Sequence, residues 1–154
     1  MAETPEAKEL APPLNRMVIS ISALLGLCVA LYMWAYAAGL TGPVLCSVGD
    51  CEAVQASEFS RIGGIPVAAF GVAGYLALLV TGLMGLRPGF QHSRLVSAIL
   101  IGGGVAGVVF TGYLTYLEAY VIHAWCQWCV TSAILMLLAF LASLPELRRI
   151  GGSP

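Results

Sequence analysis

AYVIHAWCQWCVTSAILMLLAFLASLP, from Ala119 to Pro145, contains no Asp, Glu, Lys or Arg. About 20 apolar residues at 1.5 Å rise per residue cross the ~30 Å hydrocarbon core of a bilayer. The stretch therefore predicts a transmembrane helix from about Trp125 to Leu144, stopped by Pro145. Three further runs lack those charges, Met17 to Gly49, Ile62 to Leu86 and Leu95 to Leu117, and they predict spans at about 17–38, 66–86 and 95–120. All four are continuously apolar, whereas barrel strands alternate over about ten residues. The expected fold class is an all-α integral membrane protein, a four-transmembrane-helix bundle. Pro66 suits a first helical turn, where a missing N–H has no partner to lose.

Composition points the same way. Of 154 residues 59% are hydrophobic and 10% are charged, with a mean hydropathy of +0.90, against roughly 25% charged in soluble domains. Seven Lys and Arg against eight Asp and Glu give a net charge of -1. No excess of cations exists to neutralise phosphates, so nucleic-acid binding is not expected.

Cytoplasmic flanks of membrane spans are enriched in Lys and Arg. Lys8, Arg16, Arg87, Arg94, Arg148 and Arg149 fall on one side of the spans and Arg61 alone on the other. Both termini are thus expected in the cytoplasm, as a disordered proline-rich tail 1–16 and a tail 145–154 around a helical domain 17–144. A cleavable signal peptide is not expected, because acidic residues precede a long apolar run. The loop 39–65 and the turn 121–124 then face the exoplasmic side.

Four of the five cysteines, Cys46, Cys51, Cys126 and Cys129, fall at that face, and Cys28 lies mid-span. Exoplasmic compartments permit disulfides. Cys126 and Cys129 form a CxxC at a helix start, where free N–H groups and the helix dipole favour a thiolate, the species that attacks disulfides. Cys126 is expected near water and Cys129 about one turn deeper. Cys46 and Cys51 lie in a loop containing Ser47, Gly49 and Asp50, which can move a disulfide between two stations. Asp50 or Ser47 is expected to cap a short surface helix, about Cys51 to Ser57, lying as a lid over the bundle. On spacing alone, structural disulfides and a four-sulfur zinc site remain open for these cysteines. Cys28 reads as a small buried hydrophobe.

Other residues carry weaker signals. Glu118, an acid near a span end, is either a proton acceptor or simply hydrated. His92 and His123 have no metal-like spacing and read as interfacial. Gly102, Gly104 and Gly107 spell GxGxxG, but no strand precedes them, so close helix packing is expected rather than dinucleotide binding. Trp34, Tyr36, Tyr120, Trp125 and Trp128 form an aromatic belt at the outer boundary, and Trp125 or Trp128 can also wall a ligand pocket. A transporter would place ionisable groups at mid-membrane depth, and apart from Glu118 the spans offer none.

The ordered set Cys46-Ser47-Val48-Gly49-Asp50-Cys51-Glu52, Phe59 to Val67, Phe70-Gly71, Tyr116-Leu117-Glu118 and Cys126-Gln127-Trp128-Cys129-Val130-Thr131-Ser132 resembles the vitamin K epoxide reductase family over about Met17 to Leu144. The likeness is closest to bacterial members. It implies a four-helix bundle around a quinone (ubiquinone, menaquinone or a vitamin K type). Electrons would pass from a thioredoxin-like exoplasmic protein to Cys46 and Cys51, then to Cys126 and Cys129, then to quinone. The implied disulfides are Cys46–Cys51 and Cys126–Cys129, with a transient Cys51–Cys126 link and Cys129 against the quinone. Ser57, Phe70, Glu118, Trp125 and Trp128 are the expected supports of the quinone site, and no metal is expected. Many bacterial members are fused to a thioredoxin-like domain; with this chain ending at Pro154, a separate partner is expected.

Set against the family's pattern, Val67 and Ala133 fall where the animal enzymes carry Asn and Tyr donors to vitamin K. Epoxide opening needs donors that stabilise charge on oxygen, so quinone reduction is favoured over epoxide reduction. The relay also has a physical logic. A quinone dissolves in lipid and a protein substrate in water, so two cysteine pairs in series reach what one cannot. A thiol oxidant near about -120 mV must be reoxidised by something of higher potential, and periplasmic systems use quinones. The expected location is a bacterial inner membrane with the site on its periplasmic side and membrane lipid around the bundle.

Overall fold

The computed structural model describes residues 13–151. Its helices are α1 (Leu14–Ala37), α2 (Cys51–Ala56), α3 (Val67–Leu86), α4 (Arg94–Tyr116), α5 (Gln127–Ser143) and α6 (Glu146–Gly151). A π-helical turn, Leu117–Ile122, extends α4. Strands β1 (Arg61–Ile62) and β2 (Ile65–Pro66) form a small antiparallel hairpin that pairs Arg61 with Pro66 and Ile62 with Ile65.

The four long helices are apolar and long enough to cross a membrane, so the chain is an integral membrane protein. They form a ring in which α1 packs on α3 and α5, and α4 closes against the same two. Outward side chains such as Leu24, Leu83, Val109 and Leu141 are exposed. That is the pattern of helices apolar on every face, which belong in lipid.

Helix ends follow local chemistry. At the end of α1, Gly39 adopts φ 74°, and the amides of Gly39 and Leu40 donate to the carbonyls of Tyr36 (3.0 Å) and Ala35 (2.9 Å). This is a Schellman cap, for which glycine is favoured. Pro66 lies just before α3 as its N-cap, one position outside the expected first turn. Arg87 is extended before Pro88, as a residue preceding proline prefers. The Ser93 hydroxyl accepts the Val96 amide to start α4.

Small residues let the helices approach. A Cβ on Gly26 would overlap the Tyr75 ring, and one on Gly107 would overlap the Met136 side chain. Gly104 lies against Phe140, while Gly102 faces open space. Two of the three glycines in the GxGxxG thus serve packing, as in other closely crossing membrane helices.

The end of the bundle opposite the cysteines departs from expectation. Arg16 was expected in a free tail, yet it belongs to α1 and is 0% exposed, and Glu146, assigned to the other tail, is also 0% exposed. Arg16 Nε donates to Glu146 Oε1 at 2.9 Å and Nη2 to Oε2 at 2.8 Å. Arg16 Nη1 donates to the Gly85 carbonyl at 2.7 Å. Asn15 Nδ2 donates to Glu146 Oε1 at 2.7 Å, and the Ser97 hydroxyl donates to Oε2. Charges that low in exposure persist only when paired, and here the pairing ties α1, α3, α4 and α6 together. Residues 1–12 and 152–154 of the expected tails lie outside the described residues.

Candidate active site

The cysteine end is built around α2. Asp50 caps this helix, its Oδ1 accepting the Ala53 amide at 3.0 Å, which is the expected role of an Asp at an N-cap. Cys51 opens the helix and is joined to Cys46 by a disulfide with Cα atoms 6.0 Å apart. Just before the cap, Gly49 has φ 89° and forms an antiparallel bridge with Cys126. A Cβ there would overlap the Trp125 carbonyl, and the next amide, Asp50, donates to that carbonyl at 2.8 Å.

The docked loop changes the setting of the CxxC. Cys126 was expected near water, but it is 0% exposed and shares a buried cluster with Cys51, itself 1% exposed, and Val54. The loop and α2 lie over it as the expected lid. Cys126 is the N-cap of α5, and its Sγ accepts the Cys129 amide at 3.4 Å. A sulfur in that position faces the positive end of the helix dipole, which stabilises a thiolate.

Cys126 and Cys129 are not joined to one another in the structure. The Cys126 sulfur is engaged as a hydrogen-bond acceptor, while Cys46 and Cys51 are bonded to each other. Cys28, expected to be buried, is exposed on the outer face of α1.

The π-helical turn brings in Glu118. A π-turn inserts extra backbone into a helix and is frequent at functional sites. Here the segment closes through His123 at φ 55°. The Glu118 carbonyl accepts the Ala124 amide at 3.1 Å, and its Oε2 accepts the Cys126 amide at 3.1 Å. The carboxyl group is 3% exposed and also faces the Cys129 side chain. Glu118 is therefore not a hydrated interfacial acid.

A cavity opens among the helices directly inside Cys129. Its walls are mostly apolar, with Met33, Phe70, Phe110 and Leu114 among them, and its polar groups include Ser57, Thr111 and Glu118. The Phe70 and Phe110 rings are tilted against each other with centroids 6.5 Å apart. An apolar slot with a few polar groups suits a flat lipid-soluble ring, and Cys129 is the thiol at its edge. Ser57 reaches the cavity, although its hydroxyl donates back to the Val54 carbonyl at 2.7 Å. Val67 lines the cavity and Ala133 does not; the neighbouring Ser132 does.

Of the two tryptophans, only Trp128 lines the cavity, its ring tilted against Tyr32 with centroids 5.0 Å apart. Trp125 was expected as a wall and is not one. Its side chain is 48% exposed, because its backbone is turned to pair with the loop. Two residues escaped sequence reasoning. Gln55, on α2, directs its amide toward Cys129 Sγ at 4.0 Å. Tyr75 is 1% exposed and donates its hydroxyl to the Ser132 carbonyl at 2.6 Å, beneath the cavity. A tyrosine amid the apolar run of α3 was the available signal for the second.

The order of cysteine loop, lid helix and late CxxC around an apolar cavity is matched by a family-level comparison, in which the sequence model of the Vitamin K epoxide reductase family covers residues 17–144. The chain belongs to that family.

Proposed function

We propose that this protein is a membrane thiol:quinone oxidoreductase that takes electrons from a thioredoxin-like protein and so supports disulfide formation. Members of the family are quinone-reducing oxidoreductases. One observation carries the reading: Cys126 is buried with Cys51 of the loop disulfide, while Cys129, one helical turn on, lines the apolar cavity. The two pairs are arranged in series between solvent and the membrane interior.

A partner dithiol reduces Cys46–Cys51 and leaves as a disulfide. The Cys51 thiolate then attacks Cys126 of an oxidised CxxC and releases the Cys129 thiolate. Cys46 attacks Cys51, re-forming the loop disulfide and freeing Cys126. The result is a loop disulfide with a reduced CxxC. A quinone supplies a two-electron, two-proton acceptor that returns the CxxC to its disulfide. Phe70, Phe110 and Trp128 would hold its ring, and Glu118 lies where a proton from Cys129 can be received or passed on. Val67 offers no hydrogen-bond donor to the cavity, which supports quinone rather than epoxide reduction. We place the cysteine end on the periplasmic side of a bacterial inner membrane, following the distribution of basic residues.

The test uses purified protein in detergent with a reduced thioredoxin-like protein, following quinone absorbance. Wild-type turnover that is abolished in folded Cys126→Ala and Cys129→Ala variants is the expected result. Absence of turnover with ubiquinone, menaquinone and vitamin K quinones, in folded protein with accessible thiols, overturns the proposal.

A further inference from the structure

We propose that Gln127 and Trp128, the residues between the two cysteines of the CxxC, are positioning residues that clasp the backbone beside Cys46 and so dock the loop for transfer between the pairs. The inference rests on the relay described above. Gln127 Oε1 accepts the amides of both Ser47 and Val48, each at 3.0 Å, and its Nε2 donates to the Leu45 carbonyl at 3.4 Å. Trp128 Nε1 donates to the same carbonyl at 2.6 Å. Tyr32, whose ring is tilted against Trp128, accepts the Leu45 amide through its hydroxyl at 2.9 Å.

These contacts grip both backbone flanks of Cys46. The Gly49–Cys126 bridge and the Asp50 amide on the Trp125 carbonyl fasten the next stretch. Segment 45–50 is thereby laid along segment 125–128, and Cys51 follows into the buried cluster that holds Cys126. The side chains suit the task. A Gln amide presents acceptor and donor together, and an indole N–H can only donate.

The hydrogen bonds of the clasp lie on the exposed rim, where water can replace them. Cys51 and Cys126 lie behind it, almost fully buried. The loop can therefore leave to meet a partner and return to one register. Holding two sulfurs in a single register raises their effective concentration for exchange.

The transfer can be isolated in a Cys46→Ser background. The protein is reduced, freed of reductant, mixed with a short-chain quinone, and quenched at intervals with a maleimide-polymer. The quinone oxidises Cys126 and Cys129 to a disulfide. The Cys51 thiolate attacks Cys126, and the Cys129 thiol is released. Without Cys46 the Cys51–Cys126 link accumulates and is identified by peptide mass, while loss of free thiols reports the preceding oxidation.

Gln127→Met, which keeps length and loses the amide, is expected to slow linking about tenfold, the effect of losing two or three net hydrogen bonds. Gln127→Glu keeps oxygen acceptors for Ser47 and Val48 and is expected to recover most of the rate. Trp128→Phe, which keeps the ring against Tyr32, is expected to slow linking by about fivefold. An unchanged linking rate in Gln127→Met after normal CxxC oxidation overturns the clasp and leaves the relay standing. Equal slowing in Gln127→Met and Gln127→Glu overturns its hydrogen-bond basis. Failure of the link to form in the Cys46→Ser background overturns the relay, and the clasp with it.

Discussion

Replacing Glu146 with Ala tests the buried charge cluster at the end of the bundle remote from the cysteines. The substitution leaves the Arg16 guanidinium 0% exposed, in contact with the Gly85 and Phe90 carbonyls and Ser97 but without an anion. Removing one partner of a buried ion pair costs about 3–5 kcal/mol. The Arg16–Glu146 contact is bidentate, at 2.9 and 2.8 Å, and Asn15 and Ser97 also lose an acceptor. We therefore expect a loss of about 4 kcal/mol. At about 2–4 °C per kcal/mol for a chain of this size, the melting midpoint should fall by about 8–16 °C. Thermal unfolding in detergent, followed by circular dichroism, reads the shift. The double variant Arg16→Met/Glu146→Leu removes both charges and should regain most of the loss, since apolar replacements of buried pairs are often near neutral. A loss of less than about 1 kcal/mol in Glu146→Ala, the worth of a surface pair, would refute the reasoning by showing that water solvates the site.

Three further outcomes are expected. Gly49→Ala places a Cβ against the Trp125 carbonyl at a backbone φ of 89°; strain of about 1–3 kcal/mol should undock the loop and speed hydrogen exchange of the Asp50 amide about tenfold or more. Gly107→Ala, which drives a Cβ into Met136, should lower stability by about 1–3 kcal/mol, whereas Gly102→Ala, with nothing within 4 Å, should leave the melting midpoint unchanged or raised. Glu118→Gln keeps an acceptor for the Cys126 amide and should fold normally, while Glu118→Leu strands that buried amide at a cost of about 1–3 kcal/mol; equal melting of the two would show that the contact is dispensable.

The spans were legible because lipid imposes a rule that composition obeys directly: apart from Glu118, Asp, Glu, Lys and Arg are absent over each expected crossing. The lid helix was legible too, since an Asp placed before an apolar turn is a local cap signal. Long-range pairing left no such trace. Arg16 and Glu146 are separated by 130 residues of chain, and each, taken alone, resembles a solvated flank charge. Starting a span at its first uncharged residue leaves Arg16 outside it, which is why Arg16 reads as part of a tail. Trp125 and Trp128 looked alike as belt aromatics. They differ because the backbone of Trp125 pairs with the loop, which turns its ring outward, while Trp128 sits inside the first turn of α5. The burial of Cys126 was hidden for the same reason. It depends on a loop 75 or more positions earlier folding over it, and the π-turn that delivers Glu118 to its amide has no recognisable composition.

The disulfide between Cys46 and Cys51 is unequal in its two ends. Cys46 is half-buried, whereas Cys51 is 1% exposed. With the loop docked, a thiolate arriving from solvent meets the Cys46 sulfur, and the sulfur expelled is then Cys51, already facing the interior. The regiochemistry of exchange is thus decided by shielding rather than by any difference in the chemistry of the two thiols. The same shielding limits leakage. While the loop is docked, a small thiol drifting past does not reach the inner sulfur, so its attack is confined to Cys46.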